Sequence, residues 1–249
     1  MRAPPRVRST RSTPRHGLAR VMSKLGIASR TQAARWIAEG RVSVDGRVER
    51  DPERPTDAAR ERIALDGETL GAREFVYVAL NKPRGFVTTT SDEQGRETVY
   101  ALLADAGLPW LAPVGRLDKA SEGLLLFTND SAWAARVTAP GTHLHKTYHV
   151  QVDGLPDAAL LARMEQGVDD AGERLAVASV RELRRGERNA WLEVVLDEGR
   201  NRQIRRILAA LGLGVLRLVR VDIGGIALGQ LAKGAWRLLG PAEVEALRR

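Results

Sequence analysis

The sequence contains no cysteine, which excludes disulfide bonds and thiolate zinc sites. It has only four histidines, and the three between positions 143 and 149 lack acidic neighbours at the spacing of metal ligands. Phosphate-loop and dinucleotide-binding patterns are also missing, because Gly224-Gly225 is followed neither by Lys-Ser/Thr nor by further spaced glycines. We therefore expect neither a metal nor any other cofactor.

Long apolar runs are absent as well. No segment approaches the roughly 18–20 consecutive apolar residues that a membrane span needs, and the N-terminus lacks the apolar middle of a secretory signal. Apolar residues still make up 43% of the 249 positions, which is enough for a sizeable core. The sequence thus predicts a cytoplasmic globular protein without a membrane partner.

Acidic residues are missing from the first 16 positions. This segment carries five arginines: Arg2, Arg6, Arg8, Arg11 and Arg15. Because it cannot bury apolar surface, we predict a disordered basic arm over residues 1–16. The arm supplies +5 of the formal net charge of +8, so the remainder is only mildly basic. Such a charge distribution favours a polyanionic partner.

Residues 17–65 predict a compact module of two helices and a small sheet. Residues 17–25 and 29–39 have helical patterns, and Ser29 followed by Gln32 has the spacing of a capping box. Asp45-Gly46 and Asp66-Gly67 are typical hairpin turns. The polar residues 66–74 predict a linker to the rest of the chain.

Basic side chains surround the two predicted helices, and taken alone a solvated helix face explains them better than a binding site. However, the run LARVMSKLGIASRTQAARWIAEGRVSVDGRVERDP resembles the S4-type RNA-binding domain. The resemblance covers residues 17–65. It implies that RNA phosphates are contacted by Arg20, Lys24, Ser29, Arg30 and Arg35.

Beyond residue 74 the pattern changes to strands separated by helices. Strands are predicted at 75–80, 85–90, 123–128, 147–152, 190–196 and 215–221, and helices near 98–105, 130–138, 157–166 and 201–211. Their order and lengths favour an α+β domain over residues 75–249, with a mixed, mostly antiparallel sheet flanked by helices.

Arg116 and Asp118 occupy a prominent loop in this domain. A short apolar strand ends at Val114, Gly115 permits a sharp turn, and a buried strand follows. Functional residues are often found on loops that rigid elements hold in this way. The pattern alone is equally consistent with a turn whose Arg and Asp cap the backbone or pair with each other.

The segment PVGRLDKASEGLLLFTND resembles the active-site motif of the pseudouridine synthases, particularly the branch that modifies single rRNA sites. Four further segments resemble this family in the same order: LNKPRGFVTT (80–89), HKTYHVQV (145–152), LDEGRNRQIRRILAALG (196–212) and LVRVDIGGIALGQLAKGAWRLL (218–239). Together with the S4-type module, the resemblance spans residues 17–239. It implies cofactor-free isomerisation of uridine, with Asp118 as the essential carboxylate.

The resemblance also implies roles for other residues. Arg205 matches the basic residue that pairs with the catalytic aspartate, and it flanks the apolar stripe of the helix predicted at 201–211. Tyr148 matches the active-site tyrosine, and Arg116 the arginine that holds the flipped nucleotide open. Further candidates for RNA contacts are Lys82, Lys146, Arg200, Arg202 and Arg206.

The expected partner is rRNA, most plausibly 23S, either free or in a ribosomal subunit assembly intermediate, bound by a monomer. EGRNRQIRR and TND resemble the large-subunit branch more than the 16S branch. The alternatives are a 16S enzyme, a tRNA enzyme, or a non-catalytic RNA-binding assembly factor. Absence of Asp118 or Arg205 would have favoured the last of these, and both are present.

Overall fold

The computed structural model describes residues 16–71, 74–89, 94–139, 141–142 and 144–248. These residues form two compact units that divide after Glu74. The predicted basic arm lies outside the described residues except for His16, which belongs to a strand. None of the described helices is long and apolar enough to cross a membrane.

The described residues of the first unit form two helices and six short strands. They are β1 (His16–Gly17), α1 (Leu18–Lys24), α2 (Arg30–Ala38), β2 (Val42–Val44), β3 (Arg47–Val48), β4 (Pro55–Thr56), β5 (Ile63–Leu65) and β6 (Glu68–Thr69). The sheet order is β3-β2-β5-β6, and β1 pairs separately with β4. Asp45-Gly46 and Asp66-Gly67 both have positive φ, as the predicted two-residue hairpin turns require.

Two boundary predictions for this unit need correction. Residues 66–69 form the second hairpin turn and β6, so the predicted linker of 66–74 starts too early. His16 pairs with Thr56 across β1 and β4, so the arm predicted over 1–16 is wrong to include this residue. The helix prediction is confirmed in outline, and Ser29 caps α2 by accepting a 3.0 Å hydrogen bond from the Gln32 N–H.

The second unit is built on one large sheet. The strands of this sheet are β7 (Tyr77–Lys82), β8 (Ala112–Val114), β9 (Glu122–Thr128), β10 (Lys146–Val152), β13 (Ser179–Arg185), β14 (Ala190–Leu196), β15 (Val215–Ile223), β16 (Ile226–Ala227) and β17 (Trp236–Leu238). A separate hairpin is formed by β11 (Val168–Asp170) and β12 (Glu173–Leu175). The helices of the unit are α3 (Ser131–Thr138), α4 (Ala158–Gln166), α5 (Gln203–Ala210) and α6 (Pro241–Ala246), with a short 3₁₀ helix at Val99–Leu103.

The main sheet has the order β13-β14-β10-β15-β9-β7-β17, with β8 beside β9 and β16 beside β15. The junction between β9 and β15 is parallel and short, pairing Glu122 with Val219 and Gly123 with Arg220. The other strand pairs of this sheet are antiparallel. The predicted α+β fold with a mixed, mostly antiparallel sheet is therefore confirmed.

Helices cover both faces of this sheet. Met164 of α4 and Ile204, Ile207 and Leu208 of α5 are buried in one core, whereas Trp133 of α3 packs with α6 in the other. Every residue of β9 is buried, which is expected for a central strand covered on both sides. The predicted apolar stripe of α5 thus faces the core.

The strand predicted at 85–90 is wrong. In its place Gly85 has a positive φ and Val87 forms only an isolated bridge with Thr98. The hydroxyl of Thr88 donates to the Leu117 carbonyl at 2.8 Å and accepts from the Leu117 N–H at 3.3 Å. This segment therefore supports the loop after β8 instead of extending the sheet.

Candidate active site

The loop between β8 and β9 carries Asp118 and is fixed on several sides. Gly115 turns the chain with φ +75°, and the buried Leu117 is held by Thr88. The Ser121 N–H donates a 3.0 Å hydrogen bond to the Asp118 carbonyl and so closes the loop. Leu117 therefore points inward, while Arg116 is exposed and Asp118 half-buried. Of these three side chains, those of Arg116 and Asp118 therefore remain available to a ligand.

Lys82 at the end of β7 lies directly beneath this loop. Its ammonium donates to the carbonyls of Ser121 (2.8 Å), Asp118 (3.1 Å) and Pro83 (3.1 Å). The residue is completely buried, so the predicted RNA contact by Lys82 is wrong. Burial lowers the pKa of Lys82 to about 8, against the opposing effect of the Asp118 and Glu122 carboxylates. Lys82 is thus a cation built into the support of the Asp118 loop.

We expect the free energy of unfolding of the wild type to increase between about pH 8 and pH 10.5, and Lys82→Met to abolish this increase. Between a folded pKa of about 8 and the unfolded value of 10.5, the unfolded chain binds more protons at residue 82 than the folded one. Unfolding then takes up protons, so the wild-type free energy of unfolding should increase relative to the variant across this window. Urea titrations at about pH 7 and about pH 9.5 measure the difference. Identical pH slopes for both proteins would contradict the buried-ammonium interpretation.

The cationic partner of Asp118 is Arg202, whose Nη1 lies 3.5 Å from Asp118 Oδ2. The sequence predicted Arg205 in this role, and that prediction is wrong for the arrangement observed. Arg205 Nη2 instead donates to the Ala120 carbonyl at 3.2 Å, while its buried Nε has no hydrogen-bond partner within the described residues. Arg202 precedes α5 with φ +50° and ψ +29°. Non-glycine residues in this left-handed region often mark functional sites.

A cleft of about 800 Å³ opens over Asp118. Among its lining residues are most of the predicted site residues of the second unit: Arg116, Asp118, Lys146, Tyr148, Arg200, Arg202 and Arg205. Tyr148 is 8% exposed and joins the core of the unit with part of its ring. Burial, followed by the neighbouring Arg202, lowers the pKa of Arg205. The cleft therefore combines the half-buried Asp118 with several closely spaced cations, and Asp197 and Glu198 also line it.

Two of the predicted RNA contacts on or near α5 have internal partners. Arg206 pairs with Asp170 at 2.5 Å and Glu173 at 2.6 Å, and so joins α5 to the β11–β12 hairpin. Arg200 pairs with Glu198 at 3.0 Å and also donates to the Arg174 carbonyl. Arg206 is therefore a structural cation, whereas Arg200 remains at the cleft.

The Thr-Asn-Asp segment, which ends β9 and leads into α3, is structural. Asn129 Oδ1 accepts from the Val76 N–H at 2.8 Å. Asp130 caps α3 by accepting from the N–H groups of Ala132 and Trp133. These contacts tie β7, β9 and α3 together. The segment thus contributes to the site only by holding β9.

The first unit presents separate basic side chains. Arg20, Lys24, Arg30 and Arg35 are all exposed on α1 and α2. Arg35 pairs with Glu39 at 2.8 Å, and Lys24 lies 2.7 Å from a His16 ring nitrogen. Ser29 is occupied as the cap of α2. Exposed cationic side chains of this kind suit phosphate contacts.

Sequence reasoning missed Arg220 and Glu122. Arg220 lies in β15, is 4% exposed and still lines the cleft. Glu122 begins β9, is buried, and pairs with Arg217 at 3.1 Å and Lys233 at 2.5 Å. Each is a charged residue within a largely apolar strand pattern, and such residues are rarely buried without a specific role.

Comparisons with known proteins agree with this organisation. Residues 76–210 match the family model described as RNA pseudouridylate synthase, and residues 17–57 match the S4 domain. A relative from Aquifex aeolicus (strain VF5) named "Uncharacterized RNA pseudouridine synthase" is 37% identical over 228 residues, 91% of each chain.

A second relative, "Ribosomal large subunit pseudouridine synthase B" from Bacillus subtilis (strain 168), is 34% identical over 234 residues, which cover 93% of this chain and 95% of that one. A solved structure described as "Crystal structure of pseudouridylate synthase" aligns with a TM-score of 0.63 and 28% identity. The alignment covers 93% of this chain and 99% of that one. The similarity therefore extends across both units.

Proposed function

This chain belongs to the pseudouridine synthase family, and on that premise we propose that it isomerises one uridine of 23S rRNA with Asp118 as the catalytic carboxylate. The enzyme is an isomerase that acts on RNA. The observation that carries the proposal is the position of Asp118, half-buried in the cleft with Arg202 as its counter-ion. The printed name of the Bacillus subtilis relative supports the large-subunit substrate, as do the EGRNRQIRR and TND segments.

The chemistry explains why these residues are needed. Isomerisation breaks the bond between uracil N1 and the ribose, rotates the ring, and forms a bond from C5 to the same ribose carbon, while a proton leaves C5 and another joins N1. A carboxylate either attacks covalently or removes a ribose proton, and both roles require an ionised, positioned Asp. The Arg202 guanidinium, whose Nη1 lies 3.5 Å from Asp118 Oδ2, helps to orient this carboxylate. Lys82 holds the loop backbone through the Asp118 carbonyl.

Other cleft residues fit the handling of a flipped nucleotide. Extruding a uridine costs a few kcal/mol. Stacking of the extruded base on an aromatic ring stabilises it by about 1–3 kcal/mol. Tyr148 supplies such a ring inside the cleft, and the exposed Arg116 lies at the loop where it can hold the displaced strand. The exposed cations of the first unit add contacts to phosphates further along the RNA. We expect a cytoplasmic monomer acting on 23S rRNA or a subunit assembly intermediate.

Pseudouridine mapping of rRNA tests the proposal. The comparison uses cells that lack the protein, complemented with the wild type or with Asp118→Asn. We expect one 23S uridine to lose its modification and only the wild type to restore it.

Other outcomes separate the parts of the proposal. Loss of a 16S site would contradict the large-subunit assignment alone. Restoration by Asp118→Asn would contradict the role of Asp118. Full modification of both rRNAs in the absence of the protein would overturn the rRNA assignment and direct the search to tRNA.

A further inference from the structure

Arg220 lies at the centre of the sheet beneath the cleft. Across one side of β15 it pairs with Tyr148 of β10, and across the other with Gly123 of β9. Cross-strand partners project from the same face of a sheet, so Arg220 and Tyr148 share the face that lines the cleft. Arg220 is thus a neighbour of the ring on which the flipped base is proposed to stack.

The Arg220 side chain is held firmly by β9. Its Nε donates to the Leu124 carbonyl at 2.8 Å. Gly123 has φ +101°, and a Cβ at this position would collide with the backbone oxygen and nitrogen of Arg220. The glycine therefore allows β9 to approach closely enough for the Leu124 carbonyl to receive the guanidinium. This contact fixes the Nε end of the guanidinium.

A second nitrogen of this guanidinium is unused. Nη2 of Arg220 is buried and has no hydrogen-bond partner within the described residues. Arg220 also has no carboxylate within ion-pairing distance in the described part of the chain, whereas Arg217 on the same strand pairs with Glu122. A buried donor without a partner is costly, and native proteins nearly always satisfy such groups. This donor therefore indicates an acceptor that arrives with a ligand.

Depth in the cleft identifies that acceptor. The Arg202 side chain is 52% exposed and that of Asp118 35%, while Arg220 is only 4% exposed. A nucleotide that enters base first leaves its phosphates near the mouth and its ribose near Asp118. The atom that reaches furthest is O4 of uracil, because C4 lies opposite N1 across the ring. Arg220 is therefore placed to meet the base and not the backbone.

We propose that Arg220 is a specificity residue whose Nη2 donates a hydrogen bond to O4 of the flipped uracil. The inference rests on the proposed function of the cleft. Cytosine carries an amino group at this position and would oppose the arginine donor with a second donor, so the contact selects uracil. Rotation about the N3–C6 axis exchanges C4 with C2 as it exchanges N1 with C5. The same donor then meets O2 after rotation, so the hydrogen bond to O4 breaks as the ring turns and an equivalent one forms to O2.

The test combines a change in the enzyme with a change in the base. A synthetic RNA containing the mapped uridine is compared with one that carries 4-thiouridine there, since sulfur is a poorer acceptor than oxygen. For the wild type we expect kcat/KM to fall about 10-fold on the thio substrate, and for Arg220→Met to fall about 10–100-fold on the uridine substrate. Arg220→Met should then no longer distinguish the two RNAs.

Arg217→Met is the matched control, because Arg217 lies on the same strand, pairs with Glu122 and does not line the cleft. It should keep the wild-type preference for uridine. If Arg220→Met does not fold, Arg220→Lys provides the same comparison with a shorter cation. A variant at position 220 that retains the wild-type preference for uridine over 4-thiouridine would overturn the proposal. An equal rise in KM for both RNAs would also overturn it, because that result indicates a phosphate contact. Wild-type activity on the uridine RNA tests the proposed function separately.

Discussion

Asp118→Asn is expected to lower kcat for pseudouridine formation by about 10²–10⁴-fold or more, with little effect on RNA affinity or on the fold. Asparagine keeps the shape of the side chain but can neither attack the nucleotide nor accept its proton. The loop is held by Leu117, Lys82 and the closing bond from Ser121, none of which depends on the carboxylate. The ion pair to Arg202 is lost, but both partners are substantially exposed, so stability should change little.

Single-turnover kinetics on an RNA with the mapped uridine measure this effect, and thermal unfolding and RNA titration check the fold and the affinity. Asp105→Asn is the matched control, since Asp105 is exposed and is not a cleft-lining residue. It should behave as the wild type. A loss of less than tenfold in Asp118→Asn would show that another group performs the carboxylate chemistry.

Gly123→Ala is expected to destabilise the second unit by about 3 kcal/mol or more. A residue other than glycine at φ +101° is strained by about 1–3 kcal/mol. The added methyl group also meets the Arg220 backbone across the β9–β15 pairing, and overpacking of this type costs about 1–3 kcal/mol. Because the approach of the two strands also fixes Arg220, catalytic activity should fall together with stability.

Gly85→Ala separates the cost of backbone strain from the cost of the collision. Gly85 has a similar φ of +106°, but a Cβ there has no neighbour within 4 Å. Its variant should show the backbone strain without the collision. Denaturant titrations of both variants give the difference, and equal losses would mean that β9 and β15 can move apart without cost.

Local sequence patterns were sufficient to predict much of the structure. Asp-Gly turns and period-two strands depend on neighbouring residues, so the hairpins of the first unit and most central strands were predicted. The Asp118 loop was also recognisable, because Gly115 and the apolar strands on both sides specify it locally. The family resemblance then assigned chemistry that these patterns left open.

The failures involve contacts between distant segments. A regular helical wheel from residue 201 placed Arg205 nearer the cleft than Arg202, but α5 begins at Gln203 and Arg202 has left-handed geometry. The wheel therefore does not apply to Arg202, whose side chain meets Asp118. Lys82 was predicted to contact RNA, and its burial was missed because two of its three carbonyl partners come from a loop about 40 residues away. The edge strand β13 was missed because its sequence, SVRELRR, is rich in charge, as exposed edges often are.

The short parallel pairing of β9 with β15 also determines at what stage of synthesis the catalytic cleft can form. Asp118 precedes this junction in the chain, while Tyr148 and Arg220 reach the cleft from strands on its other side, and the Arg220–Leu124 contact spans 96 residues. Pairings between such distant segments require a large loop to close and form slowly. A nascent chain that has not yet released β15 from the ribosome therefore has no complete cleft. Catalytic competence therefore requires that the two halves of the sheet join.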